Sequence, residues 1–308
     1  MTDATHVTAV PEVTAAEASA AGARALLEPS GATLVRGADI TGAEGLAELA
    51  AGLGLTALDQ LEPFAARQPL GHGVWSQPAW PSTSPMCMHN ELGWQREPPP
   101  YLLVVCLQPA DSGGRTGVAD GRAVLSLLPD AMVQQAERHG WTLLRRYTGG
   151  LVGMDWQDAF PGLDMPAVEA YAKAEGIECE WGPGSLTTRR TRPAVRATGT
   201  DGSPAWSNLL AFCSEWTMDP PVRDYLVTAL GRQGLPFETS FGDGMPFTQA
   251  DVDAASTAYD RAATQIDWRA GDVLLLDNVR TAHSTEAFVG DRRTAILHAG
   301  PASSPSPE

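Results

Sequence analysis

Apolar positions fall into two registers along this chain. Several short stretches are apolar almost without a break, YLLVVCLQ (101–108) and GDVLLLD (271–277) above all, and these predict strands buried on both faces. GATLVRG (31–37) and DRRTAILHAG (291–300) read as further strands, and residues 183–213 return to strand-like alternation. Other segments carry a helical rhythm. TAAEASAAGARALLEPSG (14–31) predicts an Ala-rich helix closed by Pro and Gly, and ADITGAEGLAELAAGLGL (38–55) a helix capped by Thr41. AVLSLLPDAMVQQAERHG and DMPAVEAYAKAEG place more helix within 122–182. The pattern is therefore a mainly β core with a partly helical insertion over 122–182, and no repeat or long linker divides it. We read 1–308 as a single domain, with 1–14 and 301–308 disordered.

The stretch from 62 to 85 breaks both rhythms. Its Pro, Gly, Ser and Trp residues (GHGVWSQPAWPSTSP) suit a loop shaped around something, and Trp75 and Trp80, with LVGMDW (151–156), are candidates for a lid. Tryptophans packed beneath a long loop are the structural alternative.

Charge removes several classes of partner. A formal net charge of −16, with no long basic run, disfavours nucleic acid and anionic membranes. The four cysteines have no CxxC spacing, the N-terminus lacks a basic segment followed by an apolar core, and no apolar run approaches a membrane span. A reduced, cytoplasmic protein is expected. GLGLTA (52–57) fits GxGxxA but closes a helix-like run instead of following a strand, so a dinucleotide site is not expected there.

The chemistry concentrates in MCMHNELGW (86–94). On a strand, His89 and Glu91 at i and i+2 point to one face and can meet one ion. Alone, such a pair recurs by chance and equally suits a plain surface strand. His283, after the buried run GDVLLLDN, is the candidate third ligand. Two histidines and a carboxylate on one side of a metal, with open positions opposite, are the arrangement of non-haem Fe(II) oxygenases. Such a centre needs two further electrons, which 2-oxoglutarate can supply, and the far carboxylate of that cosubstrate needs a fixed cation. Arg292 and Arg293 open a predicted strand, and alternation lets only one face inward; Arg292 is preferred and Arg293 kept as the alternative. Thr116 either adds a hydroxyl to that carboxylate or caps its own turn. Of the other histidines, His6 lies in the loose N-terminus, His139 closes a helix, His72 has a minor claim on the pocket, and His298 faces either substrate or solvent.

With these residues in place, the chain resembles the taurine dioxygenase-like (TauD/TfdA) Fe(II)/2-oxoglutarate-dependent oxygenases, most closely the syringomycin-biosynthesis type that hydroxylates amino acids. The likeness runs from about 30 to 300 through ordered blocks: GATLVRGADI, MHNELGW, PADSGGRTGVADGRAVL, RTRPAV, AWSNLL, FGDGMPF and GDVLLLDNVRTAH with GDRR. It implies a double-stranded β-helix, or jelly roll, with helical insertions. It implies Fe(II) held by His89, Glu91 and His283, O2 as oxidant, and 2-oxoglutarate held by Thr116 and the Arg292/Arg293 pair. It also sets Asn208 near the pocket. Ser207, where relatives carry an aromatic residue, and HSTEAF (283–288), where HGREPF-like runs are commoner, depart from the pattern at positions expected to touch substrate. Because Glu91 is present, no ligand position is vacated for chloride.

The implied reaction is hydroxylation of an unactivated C–H bond of an amino acid or amino-acid-derived intermediate, releasing succinate and CO2. Desaturation or cyclisation is the alternative outcome, and a non-catalytic metal-binding sensor the alternative role. The substrate is either free or tethered to an acidic carrier protein. For the tethered case TTRRTRPAVR (187–196) is the candidate basic docking patch, unless it is only a strand's solvated face.

Overall fold

The computed structural model describes residues 9–59, 61–149 and 153–302. Two sheets dominate it. The larger has eight strands and runs Glu12–Thr14, Ala32–Arg36, Val273–Asp277, Tyr101–Gln108, Arg293–Pro301, Val74–Ser76 and Pro69–Gly71, with Leu55–Ala57 also paired to Arg293–Pro301. All of its pairs are antiparallel except the first. The smaller runs Ala263–Ile266, Thr116–Asp120, Thr281–Thr285 and Met86–His89, antiparallel throughout.

The uninterrupted apolar runs are explained by what covers each face of the large sheet. Val35, Leu103, Val105, Val273, Leu275 and Leu297 pack against the helices Ala15–Ala21, Ala23–Leu27 and Ala43–Gly52. The alternate residues Leu34, Leu102, Leu274, Leu276 and Ile296 pack with Val118 and Ile266 of the small sheet. Both faces are dry, so alternation of polar and apolar residues has no place in the central strands.

A third sheet (Glu178–Gly182, Ser185–Arg192, Trp141–Tyr147, Phe237–Phe241) lies with the helices of the middle of the chain. Residues 122–182 are mixed, as expected: helices Gly121–Leu127, Asp130–His139, Trp156–Ala159 and Met165–Glu175 alternate with strands. Among the described residues no helix is long and apolar enough to cross a membrane.

Several expectations change. Residues 12–14 are not disordered, because Glu12–Thr14 pairs with Ala32–Arg36 and Glu12 binds Arg36. Pro301 likewise ends a strand, while 1–8 and 303–308 lie outside the described residues. The first helix is two helices, broken where Gly22 takes a φ of 76°. Gly42, not Thr41, occupies the N-cap of Ala43–Gly52.

The largest change concerns the arginine-rich strand. Arg190 and Arg192 are buried and only Arg189 of this strand's arginines faces out, so 187–196 is not a basic docking patch. Arg190 instead grips Glu62, whose carboxylate also accepts from Tyr147 Oη (2.7 Å) and Tyr171 Oη (3.1 Å). Arg145 donates to the carbonyls of Glu62 (3.0 Å) and Pro63 (2.6 Å) and lies over the rings of Trp94 and Tyr147. This buried hub fastens the start of the irregular 61–68 segment to the third sheet. Burial alone would raise the Glu62 carboxyl, but the Arg190 charge more than reverses this and holds it at about 2.

Glu62→Gln leaves Arg190 buried beside a neutral amide, and urea denaturation at neutral pH is expected to show a loss of about 3 to 5 kcal/mol. The sign of the pH effect follows from the depressed carboxyl. Its stabilisation is present above the ordinary value of 4.5 and drains away as the pH falls towards about 2. The wild type should lose that share over this window, and Glu62→Gln should not.

Candidate metal centre

Register brings the two histidines together. His283 is the direct antiparallel partner of His89, and their ring centroids are 4.2 Å apart. Directly opposed strand residues have neighbouring Cβ atoms on one face, so a pair of imidazoles there can converge on one point.

Glu91 arrives differently from the sequence expectation. The strand Met86–His89 stops at His89, and Glu91 sits in the turn that follows, where Leu92 takes a φ of 54°. Asn278, in the turn before the His283 strand, holds that turn by its backbone. Glu91 N donates to Asn278 Oδ1 (2.8 Å), and Asn278 Nδ2 donates to Glu91 O (2.8 Å) and Pro99 O (2.9 Å). Asn90 Nδ2 in turn donates to Asn278 O (2.8 Å) and Thr281 O (3.0 Å). The proximity of His89 and Glu91 therefore comes from a clamped turn and not from strand alternation.

One ligand atom from each of His89, Glu91 and His283 lies within 4.8 Å of the others, and all three residues are buried. His89 Nδ1 is 2.9 Å from Cys87 O; a proton there leaves Nε2 as the lone-pair nitrogen. His283 Nδ1 is buried without a hydrogen-bond partner among the described residues. Burial, then the neighbouring His89, holds His283 well below its ordinary pKa, so its ring is neutral. Burial works against an ionised Glu91, but the Arg67 charge, aided by His298 and His89, holds its carboxyl well below the usual range. Two neutral imidazoles and one carboxylate are the protonation states a divalent cation requires.

The cavity in front of these groups lies between the two main sheets. Its walls include Val104, Thr294 and Ile296 from the large sheet and Met86, Thr116 and Thr285 from the small one. Arg292 is buried on this cavity. Its Nε donates to Gly114 O (3.1 Å), Nη1 reaches Gln77 Oε1 at 3.4 Å, and the guanidinium lies over the Phe288 ring. Arg293 faces away, bonded to Gln108 and 3.6 Å from Asp291. Of the two arginines only Arg292 reaches the cavity. Thr116 Oγ1 accepts from Trp268 Nε1 (3.0 Å), which leaves its own hydroxyl proton to donate elsewhere.

Other expected residues are not brought together. Asn208 does not line the cavity: its Nδ2 donates to Ala194 O (2.9 Å) and its Oδ1 accepts from Leu210 N (3.0 Å), so both ends of the amide fix a local turn. His298 lies neither on the cavity lining nor at the surface. It is fully buried, with Nε2 3.6 Å from Glu91 Oε1. His72 is exposed on a tight turn with φ 54°. Ser207 is buried, with its N–H on Ala194 O, whereas Thr285, Glu286 and Phe288 of HSTEAF do line the cavity. Trp75 packs with the sheets, while Trp80 lines the cavity beside Phe64. Of the other lid segment, 151 and 152 lie outside the described residues, and Gly153, Met154 and Asp155 line a separate chamber that shares Trp80, Phe64 and Phe212 with the cavity region.

Three residues that shape the site carried no signal in the sequence. Gln77 and Asn278 are ordinary polar residues until the fold closes. Arg67, in the irregular loop, places Nη2 at 3.2 Å from each oxygen of Glu91.

The family described as taurine catabolism dioxygenase TauD, TfdA family matches residues 6–299. The dapdiamide synthesis protein DdaC of Enterobacter agglomerans is 30% identical over 272 residues, 88% of this chain and 82% of that protein. A clavaminate synthase-like protein of Arabidopsis thaliana is 25% identical over 279 residues, 87% of this chain and 81% of that one. Among solved structures, a taurine dioxygenase from Burkholderia xenovorans superposes with a TM-score of 0.51 at 14% identity, covering 96% of this chain and 88% of that one. PvcB, an Fe, alpha-ketoglutarate dependent oxygenase from an isonitrile synthetic pathway, superposes with a TM-score of 0.50 at 16% identity, covering 90% and 80%.

Anaerobic titration with Fe(II) should raise the melting temperature of the wild type, because an ion that binds only the folded state stabilises it by mass action. His283→Ala should abolish that shift while Arg293→Ala retains it; an unchanged shift in His283→Ala would place the ion elsewhere.

Proposed function

The chain belongs to the TauD/TfdA family of Fe(II)/2-oxoglutarate-dependent dioxygenases, and on that footing we propose that it hydroxylates an unactivated C–H bond of an amino acid or amino-acid-derived intermediate. The dioxygenase activity and its requirement for Fe(II), 2-oxoglutarate and O2 follow from the family. We further read the two main sheets as the double-stranded β-helix of a single oxygenase domain. The amino-acid substrate is supported by the relative named for dapdiamide synthesis and by the fold neighbour from an isonitrile pathway.

The observation that carries the site assignment is the convergence of His89, Glu91 and His283 within 4.8 Å on a cavity that also holds the buried Arg292. The residues fit the implied metal. They are buried, Glu91 is held as a carboxylate and His283 as a neutral ring, and His283 Nδ1 has no hydrogen-bond partner among the described residues. When bound, Fe(II) supplies oxygen activation, for which 2-oxoglutarate gives up two electrons and leaves as succinate and CO2.

In this reading His89, Glu91 and His283 hold the ion. Arg292 takes the far carboxylate of 2-oxoglutarate: its Nη2 makes no hydrogen bond among the described residues, and a planar guanidinium pairs with a carboxylate through charge-assisted bonds. The Thr116 hydroxyl donates to the same carboxylate. Trp268 and Gln77 hold Thr116 and Arg292 in place. Phe212, stacked on His89 at 4.5 Å and edge-on to Phe64 at 4.7 Å, forms an apolar wall that keeps bulk water from the reacting side. With 187–196 folded inward, a free small molecule is a better substrate than one carried on an acidic protein.

Two variants test the anchor. Arg292→Ala should raise the 2-oxoglutarate concentration needed for half-maximal succinate formation at least about tenfold, the worth of one hydrogen bond to a charged group. Arg293→Ala should stay within about twofold, since exposed charges contribute little. Succinate formation independent of added Fe(II) would contradict the oxygenase reading, and metal binding without any succinate would favour a sensor.

A further inference from the structure

Arg67 pairs with Glu91, and in the oxygenase reading Glu91 turns its charge to the metal, which leaves the Arg67 guanidinium on the cavity without a counter-charge of its own. Its side chain is 7% exposed, Nη1 donates to Ser76 O (3.1 Å), and Nη2 lies 3.2 Å from both Glu91 oxygens. Of the five N–H donors of a guanidinium, the one on Nε is buried and has no partner among the described residues. An arginine is not buried beside a metal ligand without consequence, because a charge removed from water needs a counter-charge and satisfied donors.

Charge balance shows what is missing. The cavity is lined by Arg67, Arg292 and Glu91, while its other acid, Glu286, is paired with Arg115 at 2.6 Å. The two lining histidines count as neutral imidazoles when they hold a metal. A divalent ion and the dianion of 2-oxoglutarate cancel each other. Glu91 cancels one guanidinium, and one positive charge is left over. Arg292 is turned to the cosubstrate by Gly114, Gln77 and Phe288. The surplus therefore sits at Arg67, which is anchored on different elements and lines both the main cavity and its narrow extension beside Phe64 and Phe212.

Resting on the oxygenase reading, we propose that Arg67 is the anchor for a carboxylate of the substrate, and that the enzyme takes free carboxylic acids of the amino-acid type in preference to their amides or thioesters. The Glu62 hub gives this anchor its rigidity. By fixing the backbone of Glu62 and Pro63 to Arg145, it fixes the loop that delivers Phe64 and Arg67 to the cavity. Arg67 holds the acid end while Glu91 keeps its place beside the metal, so the bond to be oxidised lies within a few bonds of the carboxylate.

The test uses Mn(II) and N-oxalylglycine in place of Fe(II) and 2-oxoglutarate, so that binding is read without turnover. The probes are the proteinogenic L-amino acids, each beside its α-carboxamide, with acetate as the minimal carboxylate, and binding is measured by calorimetry. The wild type should bind at least one acid at least about tenfold more tightly than its amide, the worth of a charge-assisted pair. In Arg67→Met that ratio should fall to within about twofold, and in Arg67→Lys, which keeps the charge but loses the fork, an intermediate ratio should remain. Amides bound as tightly as acids by the wild type, no acid bound at all, or discrimination retained in Arg67→Met would each overturn the proposal. If Arg67→Met does not fold, the wild-type ratio and Arg67→Lys still decide it. Failure of the wild type to bind Mn(II) and N-oxalylglycine would instead overturn the oxygenase reading itself, so the two failures are distinguishable.

Discussion

The site depends on the way one asparagine side chain closes a turn. Asn278 binds the Glu91 backbone through both ends of its amide, and it precedes the strand that carries His283. One buried residue thereby ties the carboxylate of one element to the histidine of another. Without it, Glu91 would have to be delivered by a strand that has already ended at His89. Buried amides of this kind are effective because each of their donors and acceptors is satisfied, and a slip of the turn would leave several of them unpaired at once.

Around that clamp the fold supplies dryness and charge. The two sheets enclose the cavity with apolar residues on both sides, which strengthens every electrostatic interaction inside it. In that setting the position of each guanidinium matters more than its presence. Arg292, just before the strand Arg293–Pro301, is held inside by Gly114 and Gln77, whereas the adjacent Arg293 is exposed and bonded to Gln108. Arg67 reaches the cavity from an irregular loop, where Ser76 O and Glu91 hold its guanidinium and the Glu62 hub fastens the loop's start to the third sheet.

What was legible in the sequence is what depends on local pattern. The buried strands 101–108 and 271–277, the mixed character of 122–182, and the residue types of the His89, Glu91 and His283 group could be read from apolar runs and ligand chemistry. What was illegible depends on contacts across long stretches of chain. Arg67 is one arginine in a loop without periodicity, and its relation to Glu91 exists only after folding. Arg190 and Arg192 look like a solvated basic face because burial of an arginine is decided by distant partners: Glu62, more than a hundred residues away, for Arg190, and the carbonyls of Trp94 and Glu175 for Arg192. Asn208 sits in a block that resembles a pocket segment, yet the backbone around it takes up both ends of its amide. Glu91 does come beside His89, but by a route the sequence did not show: its side chain meets His89 through a clamped turn and not through strand geometry.

The central claim is that one buried group of three side chains holds the metal and one arginine beside it holds the cosubstrate. The most direct measurement is a crystal structure of the protein soaked anaerobically with Fe(II) and 2-oxoglutarate. The account predicts a single ion bound by His89, Glu91 and His283, with the far carboxylate of 2-oxoglutarate on Arg292 and Thr116. An ion bound by other residues, or an oxoacid seated away from Arg292, would contradict it.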